Sequence, residues 1–312
     1  MQDIPDGIII KYLIPNFSDC IKNWILKSLF NFSRTCNNYK GMCSLTLGKL
    51  KEIYMLKKEH DERVIMAICN RTYTRSAERL YWLQVLINSG ENINENITTS
   101  IDLTYIHYTT PLIFVICETT ITKRKDDIIQ FLLSQHSIID VNKEDSNALS
   151  PLHHAGKTLN VFAVKSLLCH TNINVNKRDI DSTTPLMFTL TQGYEEENNP
   201  TLPEIVKLFV KHPGIDINAF DKEQDTALHM AIKLIDNCAM NNDSMDSAIK
   251  ATMELLKHPN IERSVNKHND AGFTPRHLLV DLLEGMFMEH RPITPILSDL
   301  CGLFRVGLVH DI

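Results

Sequence analysis

The chain has 312 residues, of which 43% are hydrophobic and 22% charged, and its formal net charge is −6. That length allows two domains or one continuous solenoid. A negative net charge without a dense stripe of Lys or Arg argues against a nucleic-acid-binding protein. The sequence has no Gly-rich phosphate-binding motif, and no apolar run approaches the roughly 20 residues that a membrane-spanning helix needs.

The eight cysteines are scattered, and none forms a Cys-x-x-Cys pair. The sequence therefore predicts neither a zinc site nor a disulfide framework. Most cysteines lie in apolar stretches, where buried and reduced thiols are expected. The first residues lack the basic region and the apolar core of a signal peptide. We expect a cytosolic protein that needs no cofactor and no metal.

In chain order, the first predicted element is a helical segment at residues 1–43. Ile8, Ile9 and Tyr12 share one apolar face at spacings of three and four, and a second such stripe ends at Cys36. Two or three short helices make a core too small to stand alone. The segment therefore docks on the rest of the chain as an N-terminal cap, or it binds a partner.

Residues 44–61 are predicted to form a helical linker. Leu47, Leu50 and Tyr54 lie on one apolar face, and no Pro interrupts the stretch. A stiff connection of this kind would hold two binding parts at a fixed distance. A helix that belongs to the first repeat is equally compatible with the pattern.

A short phrase recurs four times between residues 140 and 275. In each copy an Asn is followed eight residues later by a Ser or Thr that precedes Pro or Ala, at Asn142 and Ser150, Asn176 and Thr184, Asn218 and Thr226, and Asn266 and Thr274. A Ser or Thr followed by Pro caps and starts a helix. A constant interval inside a variable overall period predicts stacked helix-pair units, that is, a solenoid whose surface binds a partner.

These units resemble the ankyrin repeat, whose consensus is Asn-x-x-Asp-x-x-Gly-x-Thr-Pro-Leu-His-x-Ala. The consensus Asp recurs at three positions and the consensus Gly only once, at Asp145, Asp179, Asp221 and Gly272. The non-Gly turns are expected to carry strain or a different geometry. The resemblance also implies that the His of the phrase is structural and ties adjacent turns by hydrogen bonds, at His153, His229 and His277.

The resemblance implies about five repeats over residues 62–290 and a C-terminal cap over residues 291–312. The first repeat is diverged, with its second helix near Trp82. Arg276 stands where the family has a buried Leu, as expected where no further repeat follows. Relative to the shortest unit, three units carry 6, 8 and 12 extra residues between their helices. These insertions extend helices and loops, or they build a second binding edge.

Residues 1–43 resemble an F-box, which opens with Leu-Pro-x-Glu and closes with Leu-Ser-x-Val-Cys-Lys-x-aromatic. The chain has Ile-Pro-Asp from Ile4 and Phe-Ser-Arg-Thr-Cys-Asn-Asn-Tyr from Phe32, and it departs from the motif at Gly7 and Thr35. F-boxes bind a Skp-type adaptor of a cullin-RING ubiquitin ligase. The residues that the resemblance assigns to adaptor binding are Ile4, Pro5, Ile8, Ile9, Phe32, Cys36 and Tyr39.

The predicted fold class is all-α, with an F-box-like helical segment followed by an ankyrin-repeat solenoid. The resemblance implies a non-catalytic substrate-receptor subunit of a Skp–cullin–F-box ubiquitin ligase, similar to host-directed effectors of intracellular bacteria such as Legionella. The alternative is an ankyrin scaffold or inhibitor that binds a protein without ubiquitylating it. Predicted target-binding residues on the repeat turns are Glu144, Arg178, Ile180, Phe220, Lys222 and His268.

Overall fold

The computed structural model describes residues 80, 83, 84, 87, 92–95, 97–102, 105–117, 124–191, 200–241 and 244–304. By its internal contacts the chain divides into two compact units, Met1–Ile93 and Asn94–Ile312. The F-box-like segment at 1–43, with all seven predicted adaptor-binding residues, and the predicted linker at 44–61 lie outside the described residues.

Within the first unit, the described residues around Trp82 are helical. Leu80, Leu83, Gln84 and Ile87 have helical backbone, and Leu83 and Ile87 are buried. This agrees with the helix that the sequence predicted for the diverged first repeat.

The second unit is built from short helices that follow one antiparallel hairpin. Its elements are β1 (Ile97–Asp102), β2 (Tyr105–Thr109), α1 (Pro111–Cys117), α2 (Arg124–Leu133), α3 (Pro151–Lys157), α4 (Val161–Leu168), α5 (Pro185–Thr191), α6 (Thr201–Val210), α7 (Ala227–Met240), α8 (Asp246–Leu256), α9 (Glu262–Val265), α10 (Pro275–Met288) and α11 (Pro295–Phe304).

The helices of this unit pack in two layers. The layer here called inner consists of α1, α3, α5, α7 and α10, and the layer here called outer consists of α2, α4, α6, α8 and α11. Each helix packs against the next one in its layer. The layers are joined within each helix pair, as between α3 and α4. This is the two-layered stack that the recurring phrase predicted, and the fold class is an all-α repeat fold.

The Leu of the recurring phrase explains why each first helix is anchored. Leu152, Leu186 and Leu228 are 0%, 1% and 0% exposed. Complete burial of one such side chain contributes about 2 kcal/mol to folding. The equivalent Arg276 of the last unit is exposed. The exposure of Arg276 agrees with the sequence, which has a charged residue at the position of the buried Leu.

The largest insertion extends a helix. The unit that starts at Thr226 has a first helix, α7, of 14 residues, whereas α3 and α5 have 7 each. Leu234, Ile235 and Ala239 in the added length are buried. The other two insertions lie partly in the connections 118–123 and 192–199, outside the described residues, and partly in α2 and α6, which have 10 residues each against 8 in α4.

The hairpin is an element that the sequence analysis did not predict. Ile97 pairs with Thr109 and Ser100 with Ile106 in antiparallel register, with an irregularity between Ser100 and Asp102. It lies between Asn94 and Thr110, which are sixteen residues apart instead of the eight found in the later units. The extra length of this connection forms the two strands.

At the C-terminal end, α11 continues the outer layer. Leu297, Leu300, Cys301 and Phe304 are buried, and α11 packs on α8. The predicted cap at residues 291–312 thus contains α11, which packs against α8 at the C-terminal end of the outer layer. Within the described part of the chain, no helix has both the length and the apolar character that a membrane crossing requires.

Candidate protein-binding surface

Four turns, here called fingers, connect successive helix pairs. Finger 1 is residues 142–149, finger 2 is residues 176–183, finger 3 is residues 218–225 and finger 4 is residues 266–273. Each finger ends immediately before the Ser or Thr that caps a first helix, so the stacked helices determine where each finger lies.

One carboxylate or amide oxygen organises each finger. Asp145 Oδ1 accepts hydrogen bonds from the N–H groups of Asn147 and Leu149, at 2.9 and 3.0 Å. Asp179 and Asp221 make the same pair of bonds in fingers 2 and 3. In finger 4 the Oδ1 of Asn269 accepts from Phe273 N. The recurring Asp is therefore an internal acceptor of the turn.

The residue three positions further on has positive φ in every finger. The values are 60° at Ala148, 64° at Ser182, 62° at Gln224 and 84° at Gly272. The three non-Gly residues thus keep the geometry that Gly272 adopts, in a region that disfavours a Cβ atom. The expected strain is present, and the alternative of a different turn geometry is wrong.

The recurring Asn clamps fingers 1, 2 and 3 to the loop that follows the next outer helix. Asn142 Nδ2 donates to Asn172 O at 2.7 Å, and its Oδ1 accepts from Asn174 N at 2.8 Å. Asn176 makes the equivalent bonds to Gly214 O and Asp216 N. Asn94 does so before the hairpin, with Ile138 O and Asp140 N. One side chain therefore satisfies two backbone groups at each of these three positions, Asn94, Asn142 and Asn176.

Two of the three histidines of the phrase, His153 and His229, tie adjacent turns as the resemblance implied, whereas the hydrogen bonds of His277 are with Thr274 of its own helix cap. His153 Nδ1 accepts from Ser150 N at 3.1 Å, and its Nε2 donates to Thr183 O of the next finger at 3.1 Å. His229 links Thr226 to Phe273 in the same way. Burial lowers the pKa of His153 to about 4 although the bond to Thr183 opposes the shift, so the ring is neutral.

Neighbouring fingers are joined by backbone hydrogen bonds. Lys222 N donates to Asp181 O and Asp270 N donates to Glu223 O, both at 3.0 Å. Lys222 Nζ also lies 3.3 Å from Asp181 Oδ1, in an exposed ion pair that adds little stability. Fingers 2, 3 and 4 therefore form one continuous, pre-organised surface, which lowers the entropic cost of binding a partner.

The predicted anchor Phe220 lies between two cations. Lys267 Nζ is 3.9 Å from the ring centroid and Arg178 Cζ is 5.6 Å from it. The side chain is 37% exposed, so part of the ring stays available to a partner. Stacking of cations on an aromatic face is favourable by about 0.5–1 kcal/mol at exposed sites. The ring is consequently held in place while one part remains accessible.

Arg178 is more deeply engaged than the sequence suggested. Its Nη1 donates to Phe220 O at 2.7 Å and to Ser182 O at 3.2 Å. A guanidinium that joins finger 2 to finger 3 has a structural role in addition to any contact with a partner. We therefore expect Arg178→Ala to lower stability by about 1 kcal/mol.

The remaining predicted residues occupy the same surface. Ile180 is 59% exposed at the tip of finger 2, and His268 is exposed on finger 4 with its ring 6.1 Å from that of His277. Glu144 is half-buried in an ion pair with Lys177, at 3.2 Å. Exposed apolar side chains thus occur on three consecutive fingers, at Ile180, Phe220 and Phe273.

The sequence analysis missed two members of this surface. Phe273 was not singled out although it is 41% exposed, and Lys267 was not assigned to the Phe220 ring. Lys267 follows the Asn of finger 4 by one residue, and Phe220 follows the Asn of finger 3 by two. Aligning the fingers by their Asn would have placed the two side chains side by side.

Three acidic groups of finger 3 come together. Ligand atoms of Asp221, Glu223 and Asp225 lie within 4.8 Å of one another. Asp225 is bonded to Lys233 and to Asn269, and Asp221 Oδ1 already accepts two backbone N–H groups. Burial and the neighbouring Asp225 charge raise the pKa of Asp221 despite these hydrogen bonds. The acidic groups thus serve the internal bonding of the finger.

Paired helices, clamped fingers and exposed side chains on the fingers define a helix-pair repeat protein with a protein-binding surface. Residues 160–240 match the family model described as ankyrin repeats, in three copies. The chain therefore contains ankyrin repeats, which are protein-binding modules. A search of curated proteins found no match to the chain.

Proposed function

We propose that the protein is the substrate-receptor subunit of a Skp–cullin–F-box ubiquitin ligase. Residues 1–43 bind the Skp-type adaptor, and the fingers of the repeats within residues 62–290 bind a target protein. The protein has no catalytic role and acts by proximity, because it makes the encounter of a target lysine and the ubiquitin-carrying enzyme intramolecular. It works as a bacterial effector in the host cytosol.

The observation that carries the target-binding half is the row of exposed apolar side chains on three consecutive fingers. Ile180, Phe220 and Phe273 are exposed on a frame that hydrogen bonds hold in place. Aromatic side chains that are rigid and partly exposed are the groups that dominate protein–protein binding energies. The adaptor-binding half is supported by the F-box-like residues Ile4 and Pro5.

The test of the adaptor-binding half is a pull-down of purified Skp-type adaptor with the full chain. We expect binding by the unaltered protein and loss of binding in the double variant Ile4→Ala, Pro5→Ala. The matched control is Ile180→Ala, which alters a finger and should leave adaptor binding unchanged. Absence of binding, or equal binding by the double variant, refutes the proposal.

The second candidate is an ankyrin scaffold or inhibitor that binds the same target without ubiquitylation. The finger surface alone is sufficient for this function. The two functions differ in a reconstituted reaction that contains the ligase components and a target co-purified with the chain. Ubiquitylation that depends on Ile4 and Pro5 supports the receptor, whereas target binding without ubiquitylation supports the scaffold.

A further inference from the structure

Three side chains at the junction of α1, finger 1 and α3 are joined in series. Cys117 is the last residue of α1, and its Sγ lies 3.3 Å from Nδ1 of His154 on α3. Nε2 of the same imidazole lies 2.8 Å from Oδ2 of Asp145 in finger 1. A thiol, an imidazole and a carboxylate are thus connected through both nitrogens of one ring.

The surroundings fix the direction of these hydrogen bonds. Asp145 uses Oδ1 for the turn of finger 1, and this leaves Oδ2 for His154. A carboxylate only accepts hydrogen bonds, so Nε2 carries a proton. Nδ1 then faces the sulfur and, in the neutral ring, is positioned to take the thiol proton. The order is nucleophile, base and orienting acid, which is the arrangement that activates a cysteine.

The electrostatics favour the protonated imidazole. Burial alone lowers the pKa of His154, but the hydrogen bonds to Asp145 and Cys117 outweigh it and raise the pKa to about 9. The side chains of His154 and Asp145 are 14% and 8% exposed, so water screens the pair only weakly. An imidazolium held against the sulfur stabilises a thiolate, which is the reactive form of cysteine.

The repeat itself does not require an imidazole at this position. The residues that follow the capping Ser or Thr by four in the other units are apolar, namely Phe114, Phe188, Met230 and Leu278. The structural His of this unit is the preceding residue, His153, whose bonds are already accounted for. His154 is therefore an addition to the common frame.

Access to the sulfur distinguishes Cys117 from an inert core thiol. Among the four cysteines that the structure describes, Cys301 is buried, Cys117 and Cys238 are partly exposed and Cys169 is exposed. The expectation of buried thiols thus holds for Cys301 and is wrong for Cys169. Cys117 combines partial access with a base in contact, a combination typical of reactive cysteines.

We infer that Cys117 is an activated thiol, with His154 as its base and Asp145 as the positioning residue, and that it is a site of mixed-disulfide formation with low-molecular-weight disulfides. The Cys117 thiolate attacks one sulfur of the small disulfide, and a new S–S bond forms as the old one breaks. The released thiolate takes a proton from solvent. The electron pair of the Cys117 thiolate forms the new S–S bond, and the pair of the old S–S bond leaves with the released thiolate. The Cys117 sulfur is thereby oxidised and the released sulfur is reduced.

The test uses the full chain and glutathione disulfide as the probe at neutral pH. Modification is followed by intact mass, and peptide mapping assigns the rate to each cysteine. Cys169 is the internal standard, since it is more exposed than Cys117. We expect Cys117 to react several-fold faster than Cys169, because the imidazole of His154 in contact with its sulfur takes the thiol proton and stabilises the thiolate. A rate at Cys117 equal to or below that at Cys169 overturns the inference.

Two variants separate activation from simple access. In Asp145→Asn the amide oxygen can still accept the two N–H bonds of finger 1, but the amide nitrogen now faces His154 and donates to it. His154→Gln removes the base. We expect both to lower the rate at Cys117 on the order of tenfold and to leave Cys169 unchanged. An unchanged rate at Cys117 in either variant, with thermal unfolding preserved, contradicts the inference.

A pH profile of the unaltered protein tests the inference without any substitution. The titratable groups that face the imidazole are Cys117 from α1, Asp145 from finger 1 and His153 on its own helix; Lys157 of α3 and Lys165 of α4 are exposed, and α5 contributes none. We expect the rate at Cys117 to fall less steeply than that at Cys169 between pH 8 and pH 6.5, because the imidazolium beside the Cys117 sulfur stabilises its thiolate. Parallel profiles for the two cysteines overturn the inference.

Discussion

At the scale of single residues, three fingers contain a strained non-glycine residue with positive φ, and the fourth has a glycine at the same position. Ala148, Ser182 and Gln224 hold positive φ where Gly272 holds it without a Cβ atom. A Cβ built on Gly272 would meet nothing within 4 Å, so the position is governed by backbone conformation and not by packing. The same turn therefore occurs with and without its preferred residue in one molecule.

This arrangement predicts opposite effects for two substitutions. Ala148→Gly is expected to raise the free energy of unfolding by about 0.5–1 kcal/mol, because it relieves the left-handed strain. Gly272→Ala is expected to lower it by about 1 kcal/mol for the same reason. Urea denaturation at neutral pH measures both. A change of the same sign in the two variants would contradict the conformational explanation.

Two adjacent histidines predict opposite dependences on pH. Burial lowers the pKa of His153 to about 4, below the ordinary value of 6.5. Its contribution to stability is therefore present above pH 6.5 and is lost as the pH falls through 4. For His154 the pKa is raised to about 9, so its contribution is present below pH 6.5 and is lost as the pH rises through 9.

Thermal unfolding between pH 4 and pH 10 tests this pair. His153→Gln should flatten the acid side of the stability profile, and His154→Gln should flatten the alkaline side. Each contribution is on the order of 2–3 kcal/mol, from a shift of about 2.5 units. The reverse assignment, with His153 affecting the alkaline side, would show that the two rings have exchanged roles.

At the scale of elements, the close approach of α3 and α5 depends on one glycine. A Cβ built on Gly156 would lie 2.0 Å from Thr189 Oγ1 and 3.3 Å from Thr189 Cβ. Thr189 is fully buried, and its hydroxyl donates to Pro185 O within the same helix. The spacing of these two inner helices is therefore set by the absence of a side chain at Gly156.

Gly156→Ala is expected to destabilise the protein by about 1–3 kcal/mol, although Ala is the better helix former. Thr189→Ala should restore most of the loss when it is added to Gly156→Ala, because it removes the clashing hydroxyl. A double-mutant cycle with urea denaturation gives the coupling energy. If the two changes add without coupling, the contact between the helices is not the cause.

At the scale of the whole molecule, the sequence predicted what recurs and missed what occurs once. The interval of eight residues located the fingers and the capping residues, because the same backbone hydrogen bonds recur in each finger. The hairpin from Ile97 to Thr109 replaces one such interval and has no second copy to reveal it. The Thr, Ile and Tyr residues of its strands were the available signal.

The contact between Cys117 and His154 was also beyond the sequence. These two residues belong to different repeats and are distant along the chain. Their proximity depends on how far each helix pair is displaced relative to the next. That displacement cannot be read from the sequence, because three repeats carry extra residues between their fingers while the eight-residue interval within each finger stays constant. The adaptor-binding half stays a prediction, since residues 1–43 lie outside the described residues.

The binding surface as a whole leads to a prediction about target capture. Phe220 contributes a ring that two cations hold and that is 37% exposed. Phe220→Ala should weaken capture of a co-purifying target by at least tenfold, the effect of losing about 1.4 kcal/mol at an aromatic anchor. Stability should fall by no more than about 1 kcal/mol, because a large part of the ring is already in contact with water.

Phe287→Ala is the matched control, since this ring is 52% exposed on α10 and lies outside the fingers. We expect target capture by Phe287→Ala to equal that of the unaltered protein. The measurement is target recovery at equal protein concentration, with thermal unfolding recorded for each variant. Equal losses in the two variants would place the binding surface outside the fingers, and unfolding of Phe220→Ala would assign its ring to the frame of the solenoid.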